Sequence, residues 1–276
     1  MSPKTTPVER SLAGFFFKTV VLFLFCVIII FMRIDRLLCE LNIGSRSEVK
    51  VFLKKGLVSV NGVKVLKPET KVDEMSDIIS FQGKEYRYRP FVYFMMNKPA
   101  GIVSATTDAS CKTAVDLLRE QCIHLYGGNL SGIPVKDIFP VGRLDKDTVG
   151  LLLLTNDGEM AHNLLSPKKH VPKKYYVETD FSIDKDKALM LEKGVDIGEG
   201  ELTKEAVVEL LSEKTCTITI TEGKFHQVKR MFQAVGLKVI YLKRLSMGSL
   251  VLDSALKEGC VRELTETEVS NLCLKI

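Results

Sequence analysis

The sequence predicts an α+β fold in two domains. Three observations carry this expectation. At 276 residues the chain exceeds one average domain, and with 46% hydrophobic and 26% charged residues it is globular rather than disordered. Residues 33–65 place two amphipathic helical patterns ahead of a short hairpin. From residue 91 onward, short β-rich runs alternate with turns and a few helical stretches, which is the pattern of a mixed, mostly antiparallel sheet with flanking helices.

The N-terminus comes first. Leu12 to Phe31 is a 20-residue apolar stretch broken only by Lys18, long enough to cross a bilayer, and Arg33 and Arg36 follow it. Two readings stand: a membrane anchor, or upstream sequence ahead of a true start at Met32. The second is preferred, and a cytoplasmic location goes with it. Net charge is +5; residues 1–31 carry Lys4, Arg10 and Lys18 against Glu9, so the rest keeps +3. An excess that small serves a nucleic-acid partner only if it is clustered. Seven cysteines, odd in number and without a Cys-x-x-Cys, indicate neither a disulfide framework nor a zinc site. None of the four histidines pairs with another at metal-ligand spacing, so no metal is expected.

In the first domain, residues 32–80, Ile34, Leu37, Leu38 and Leu41 fall at i, i+3, i+4 and i+7, one face of a helix. Ser45 to Glu48 has capping-box spacing, and Val49, Phe52 and Leu53 line the buried side of a second helix that Gly56 ends. Arg46, Lys50, Lys54 and Lys55 are left on its other side. Val58–Val60 and Val63–Val65 flank Asn61-Gly62, the two-residue turn that matches strand twist. Residues 81–91, polar, basic and closed by Pro90, read as a linker.

The second domain, 92–276, is predicted to hold strands at 92–96, 151–155, 174–179, 207–211, 215–221 and 239–242, and helices at 113–120, 159–165, 185–193 and 227–235. Ile138 to Gly158 is its most informative stretch. A polar turn with Arg143 and Asp145 leads into the apolar run from Gly150 to Thr155, so a carboxylate stands at the mouth of a buried strand.

That stretch, GRLDKDTVGLLLLTNDG, resembles the signature of the ribosomal RNA pseudouridine synthases that carry an N-terminal S4 domain. The two helices and hairpin with their basic face resemble the S4 RNA-binding domain itself. Four more segments extend the resemblance over nearly all of 32–270. They are Asn97-Lys98-Pro-Ala-Gly101, the strand Lys173-Lys-Tyr175-Tyr-Val177, Glu222 to Phe232 (EGKFHQVKRMF), and the closing strands, in which Val261 stands where the family has an aromatic.

The resemblance implies that Asp145 is the catalytic carboxylate, that Tyr175 packs on the target base, and that Lys229 pairs with Asp145, with Arg230 able to share that role. It assigns Asn97, Lys98, Arg143, His226, Gln227 and Arg230, with Arg46, Lys50, Lys54 and Lys55 of the first domain, to RNA contacts. Alternation sends Tyr175 and Val177 to one face of their strand and Tyr176 to the other. Isomerising uridine changes no oxidation state and consumes no outside group, so no cofactor is implied. The expected partner is ribosomal RNA or a small-subunit assembly intermediate, met by a monomer. The run of matches after Lys173 points to the 16S branch. The same chemistry on 23S rRNA and a non-catalytic RNA-binding protein are the alternatives.

Overall fold

The computed structural model describes residues 31–125 and 137–274, and these fall into two units that divide between Tyr88 and Arg89. The apolar stretch from Leu12 lies outside the described residues, except for Phe31. Among the described residues no helix is long and apolar enough to cross a membrane.

The first unit runs β1 (Phe31–Arg33), α1 (Ile34–Glu40), α2 (Arg46–Lys54), β2 (Val58–Val60), β3 (Val63–Lys64), β4 (Lys71–Asp73), β5 (Ile79–Phe81) and β6 (Lys84–Tyr86). The i, i+3, i+4, i+7 spacing places Ile34, Leu37, Leu38 and Leu41 inside, each no more than 1% exposed. Each such burial contributes about 1.5–3 kcal/mol. The capping box forms in full: Ser45 accepts from the Glu48 backbone, and Glu48 accepts from the Ser45 backbone at 2.8 Å. Asn61 and Gly62 both take positive φ, 49° and 81°, which gives a primed turn and the register Val60 opposite Val63.

The segment expected as a linker belongs to this unit as far as Tyr88. β6 pairs antiparallel with β5, completing a sheet of order β3-β2-β5-β6, and Tyr86 is buried in the core with Ile79 and Val58. Its polar residues alternate with Tyr86 and Tyr88, so an edge strand with one wet face presented the composition of a linker.

The second unit runs β7 (Tyr93–Lys98), α3 (Ala114–Leu125), β8 (Phe139–Pro140), β9 (Val149–Thr155), α4 (Gly158–Leu165), β10 (Lys173–Thr179), α5 (Lys185–Lys193), β11 (Val207–Leu210), β12 (Thr215–Ile220), α6 (Gln227–Ala234), β13 (Val239–Met247), β14 (Leu250–Val251), β15 (Val261–Glu263) and α7 (Glu266–Leu274). Its sheet has the order β11-β12-β10-β13-β9-β7-β15, with β14 beside β13 and β8 beside β9. Only β9 with β13 is parallel. β9 is buried along its whole length, with Leu152 and Leu154 in one core and Leu151 and Leu153 in the other. A strand covered on both faces needs an unbroken apolar run, which is what the sequence supplies.

β13 is longer than its sequence suggests, because the polar Lys243 and Arg244 interrupt the apolar pattern. Pairing on both sides holds them: Arg244 stands opposite Gly150 of β9 and Tyr175 of β10. Gly150 has φ +98°, and a Cβ there would sit 2.4 Å from the Arg244 carbonyl oxygen. Only glycine permits this approach. Val261 is buried in the core opposite Met96, so the smaller side chain packs within the closing strand.

Candidate active site

The polar turn between β8 and β9 is held from behind. Leu144 is buried, and the Ser104 hydroxyl both donates to its carbonyl and accepts from its N–H, each at 3.0 Å. The Thr148 N–H closes the turn on the Asp145 carbonyl at 3.1 Å. Beneath lies Lys98, fully buried at the end of β7, whose ammonium donates to the carbonyls of Thr148 (2.8 Å), Pro99 (3.0 Å), Asp145 (3.2 Å) and Lys146 (3.3 Å). Burial pushes it down to about 8, against the pull of the Asp147, Asp145 and Glu258 charges. It stays protonated at neutral pH.

The turn's front faces α6. His226 adopts a left-handed conformation, φ 49°, immediately before the helix. Val228, Met231 and Phe232 then go into the core, and Lys229 projects the other way. The Lys229 ammonium sits 3.1 Å from Asp145 Oδ2 and 2.5 Å from Asp147 Oδ1, and His226 Nε2 is 3.4 Å from Asp145 Oδ1. Partial burial pulls the Lys229 ammonium down, but hydrogen bonds to Asp147 and Asp145 outweigh it and leave it raised. In turn Lys229 holds the Asp147 carboxyl below its ordinary range. The Asp145 carboxylate therefore faces the Lys229 ammonium and the His226 imidazole. Its one contact within the turn is the weak 3.4 Å bond from the Thr148 hydroxyl, so it is not spent on capping.

Tyr175 completes the site from β10. It is 8% exposed and lines the same cleft as Asp145, Arg143, His226 and Lys229. Tyr176 turns to the opposite face, donating to Glu178 at 2.9 Å and meeting Tyr241 edge-on. The alternation expected for this strand is observed.

Four residues expected to contact RNA do other work. Lys98 is inaccessible and serves backbone carbonyls. Asn97 is 5% exposed and donates to the Leu256 carbonyl at 2.8 Å, tying β7 to the segment before β15. Gln227 is 4% exposed; it donates to Glu222 at 2.7 Å and accepts from the Lys224 N–H at 2.9 Å, fixing the loop that delivers His226. Arg230 pairs with Glu201 at 2.9 Å and donates to the Ile197 and Phe225 carbonyls, so of the two adjacent basic residues it is Lys229 that meets Asp145. All four follow from burial or internal pairing, which short motifs do not encode. Asp147 and Phe225 are the residues the motif assignment left out. The spacing Asp145-x-Asp147 was the available signal for the first.

Arg143 is exposed at the cleft and makes no hydrogen bond or ion pair among the described residues. In the first unit Arg46, Lys50, Lys54 and Lys55 are all exposed, spaced along one side of α2 and its C-terminal cap. None of them forms an ion pair among the described residues. No group of three or more histidine, cysteine or acidic side chains that could hold a metal occurs among the described residues.

The first unit is a helix-helix-hairpin with a basic helix face, and the second a mixed-sheet unit with a carboxylate, an ammonium and a buried tyrosine in one cleft. Residues 92–234 match the RNA pseudouridylate synthase family and residues 32–78 match the S4 domain. The chain belongs to the RNA pseudouridylate synthase family. It is 47% identical over 242 residues to an uncharacterized RNA pseudouridine synthase of Bacillus subtilis, covering 86% of this chain and 97% of the relative. It is 40% identical to the ribosomal small subunit pseudouridine synthase A of Vibrio cholerae (87% of this chain, 99% of the relative) and 35% identical to that of Escherichia coli (87% and 100%). Among solved structures, a crystal structure of a pseudouridylate synthase aligns with TM-score 0.59 at 33% identity, over 87% of this chain and 99% of that one.

Proposed function

We propose that this protein isomerises a specific uridine of small-subunit (16S) ribosomal RNA to pseudouridine, with Asp145 as the catalytic carboxylate. The observation that carries the reading is the Asp145 carboxylate at 3.1 Å from Lys229, in one cleft with Tyr175. In the reaction the C1′–N1 bond breaks, the base turns, and C1′ bonds to C5, whose proton is lost while N1 gains one. One ionised carboxylate beside the sugar serves this chemistry, as nucleophile or as base. Lys229, 3.1 Å from that carboxylate, holds it in place.

The base must leave its stack, which costs a few kcal/mol, and packing on Tyr175 offsets this by about 1–3 kcal/mol. Arg143, exposed and unpaired among the described residues, suits the displaced backbone or the gap left by the base. Arg46, Lys50, Lys54 and Lys55 supply sequence-independent docking to phosphates. The 16S substrate is supported by the relatives named for small-subunit rRNA, at 35–40% identity over nearly their whole length. An intact carboxylate, cation and aromatic in one cleft favour an enzyme over an inert RNA-binding relative.

The test is to incubate purified protein with 16S rRNA, 23S rRNA and a small-subunit assembly intermediate, and to map pseudouridine. One new site in 16S rRNA is expected, and Asp145→Asn should abolish it while leaving RNA affinity within a few-fold. Modification confined to 23S rRNA would overturn the substrate, and near-wild-type turnover by Asp145→Asn would overturn the catalytic role.

A further inference from the structure

Asp145 stands on a ridge between two clefts, and the reaction needs only one. Behind the ridge, away from Tyr175, lies a second space of about 690 Å³ that shares Arg143, Leu144, Asp145 and His226 with the first. Its far wall is Phe225. This ring is 67% exposed, large for an apolar side chain beside a polar cleft, and is stacked on the His226 imidazole at 3.8 Å and 18°. One ring face is thus backed by His226, and the other is open. His226 in turn touches Asp145, so the aromatic pair is anchored to the ridge itself. The left-handed φ of His226 and the buried Gln227 after it set where the pair stands.

The charge on this side is suited to a nucleotide. Arg143 is shared by both clefts, and Lys146 is exposed on the same turn, its ammonium 3.2 Å from the Cys111 sulfur and within electrostatic reach of Asp108. Ser104 cannot serve as a ligand, because its hydroxyl is used on both sides by Leu144. An open aromatic face with two cations near it is the arrangement that holds one unstacked base and its phosphate.

We propose that this second cleft is a subsite for the nucleotide adjacent to the target uridine, its base stacked on Phe225 and its phosphate between Arg143 and Lys146. The inference rests on the Tyr175 cleft holding the flipped uridine. A strand laid across the Asp145 ridge then has both of its displaced bases on aromatic rings. The enzyme thereby reads an opened stretch of RNA rather than a lone extruded base. Because every base has a π-face, the subsite favours an unpaired neighbour over any particular sequence.

The test uses the full chain and a synthetic RNA hairpin spanning the uridine that the wild-type enzyme modifies. The hairpin is made unaltered, with an abasic ribose 5′ of that uridine, and with one 3′ of it. kcat/KM is measured for wild type, Phe225→Tyr and Phe225→Leu. Phe225→Leu should lower kcat/KM on the unaltered RNA roughly tenfold, the loss expected for one base–aromatic stack, whereas Phe225→Tyr keeps the ring and should match wild type. One abasic RNA should cost wild type a similar factor and then be insensitive to Phe225→Leu, which also identifies the side the neighbour comes from. The subsite is overturned if Phe225→Leu costs the same on all three RNAs or nothing on any. If wild type forms pseudouridine on neither rRNA nor a small-subunit assembly intermediate, the reading of the Asp145 cleft itself fails, and the subsite with it.

Discussion

Two lysines serve the same turn from opposite sides, and they do so by different physics. Lys98, behind it, is fully buried and spends its ammonium on four backbone carbonyls. Lys229, in front, keeps a quarter of its side chain exposed and spends its ammonium on two carboxylates. The first neutralises dipoles and fixes where the turn is; the second neutralises charge and fixes what Asp145 can do. A cation buried among carbonyls has no substitute when removed, whereas a cation at a wet rim can be replaced in part by water and salt. The turn is therefore a rigid mount with a tunable face.

The comparison breaks most visibly on substitution. Lys98→Met should leave carbonyl oxygens without their donor and cost about 3 kcal/mol of stability in the second unit, with turnover falling as the turn loosens. Lys229→Met should change stability by only about 0–1 kcal/mol and still reduce turnover severely at every substrate concentration. Urea unfolding alongside single-turnover rates separates the two. Equal stability losses would mean that both lysines are structural.

The two sides should also titrate at opposite ends of the pH scale. Burial lowers Lys98 from 10.5 to about 8, so between these values the unfolded chain binds the proton that the folded one has lost. Its contribution to stability therefore grows as pH rises through that window, and wild type should gain on Lys98→Met by up to about 3 kcal/mol. A flat difference would show that the carbonyl cage offsets burial. At the acid end Asp147 is held low by Lys229, so its contribution is present above 3.8 and lost as pH falls below it. Asp147 is well exposed, and removing Lys229 should flatten the acid limb of stability by only a few tenths of a kcal/mol.

Neither lysine is a docking charge, and the smallest effect sharpens that point. Replacing Arg46, Lys50, Lys54 and Lys55 with alanine should weaken RNA binding and reduce the log–log salt slope by roughly 0.7–0.9 per lost phosphate contact, with saturating turnover little changed. Filter binding across a salt series measures it. An unchanged slope would mark these charges as a solvated face.

Much of this was legible in the chain. The spacing of Ile34, Leu37, Leu38 and Leu41, the Ser45–Glu48 box, the Asn61-Gly62 turn and the apolar run of β9 each specify a local conformation whose stabilising partners are near in sequence. The candidate carboxylate, its cation and its aromatic were named by the resemblance, which falls on Asp145, Lys229 and Tyr175, and these three line one cleft. Motifs were less informative about direction. Asn97, Lys98, Gln227 and Arg230 sit in segments that read as RNA contacts, yet each faces inward or is paired internally; the partners of Asn97, Lys98 and Arg230 come from residues as distant as Leu256, Thr148 and Glu201, while Gln227 pairs with Glu222 and Lys224 of its own segment.

The strand continuing through Lys243 and Arg244 was hidden for the same reason. A polar pair inside a strand is tolerable only when neighbouring strands satisfy it, and the Arg244 guanidinium finds the Leu151 carbonyl at 2.7 Å. The sequence by itself determined helices α1 to α6, the hairpin and the central strand, because those depend on periodicity and short-range hydrogen bonds, while the candidate site residues came from the resemblance. Only the tertiary structure decided which cations point at the carboxylate and which lie beneath it. A side chain's exposure and partners are set by packing among segments far apart in the chain, and that packing leaves no local periodic signature.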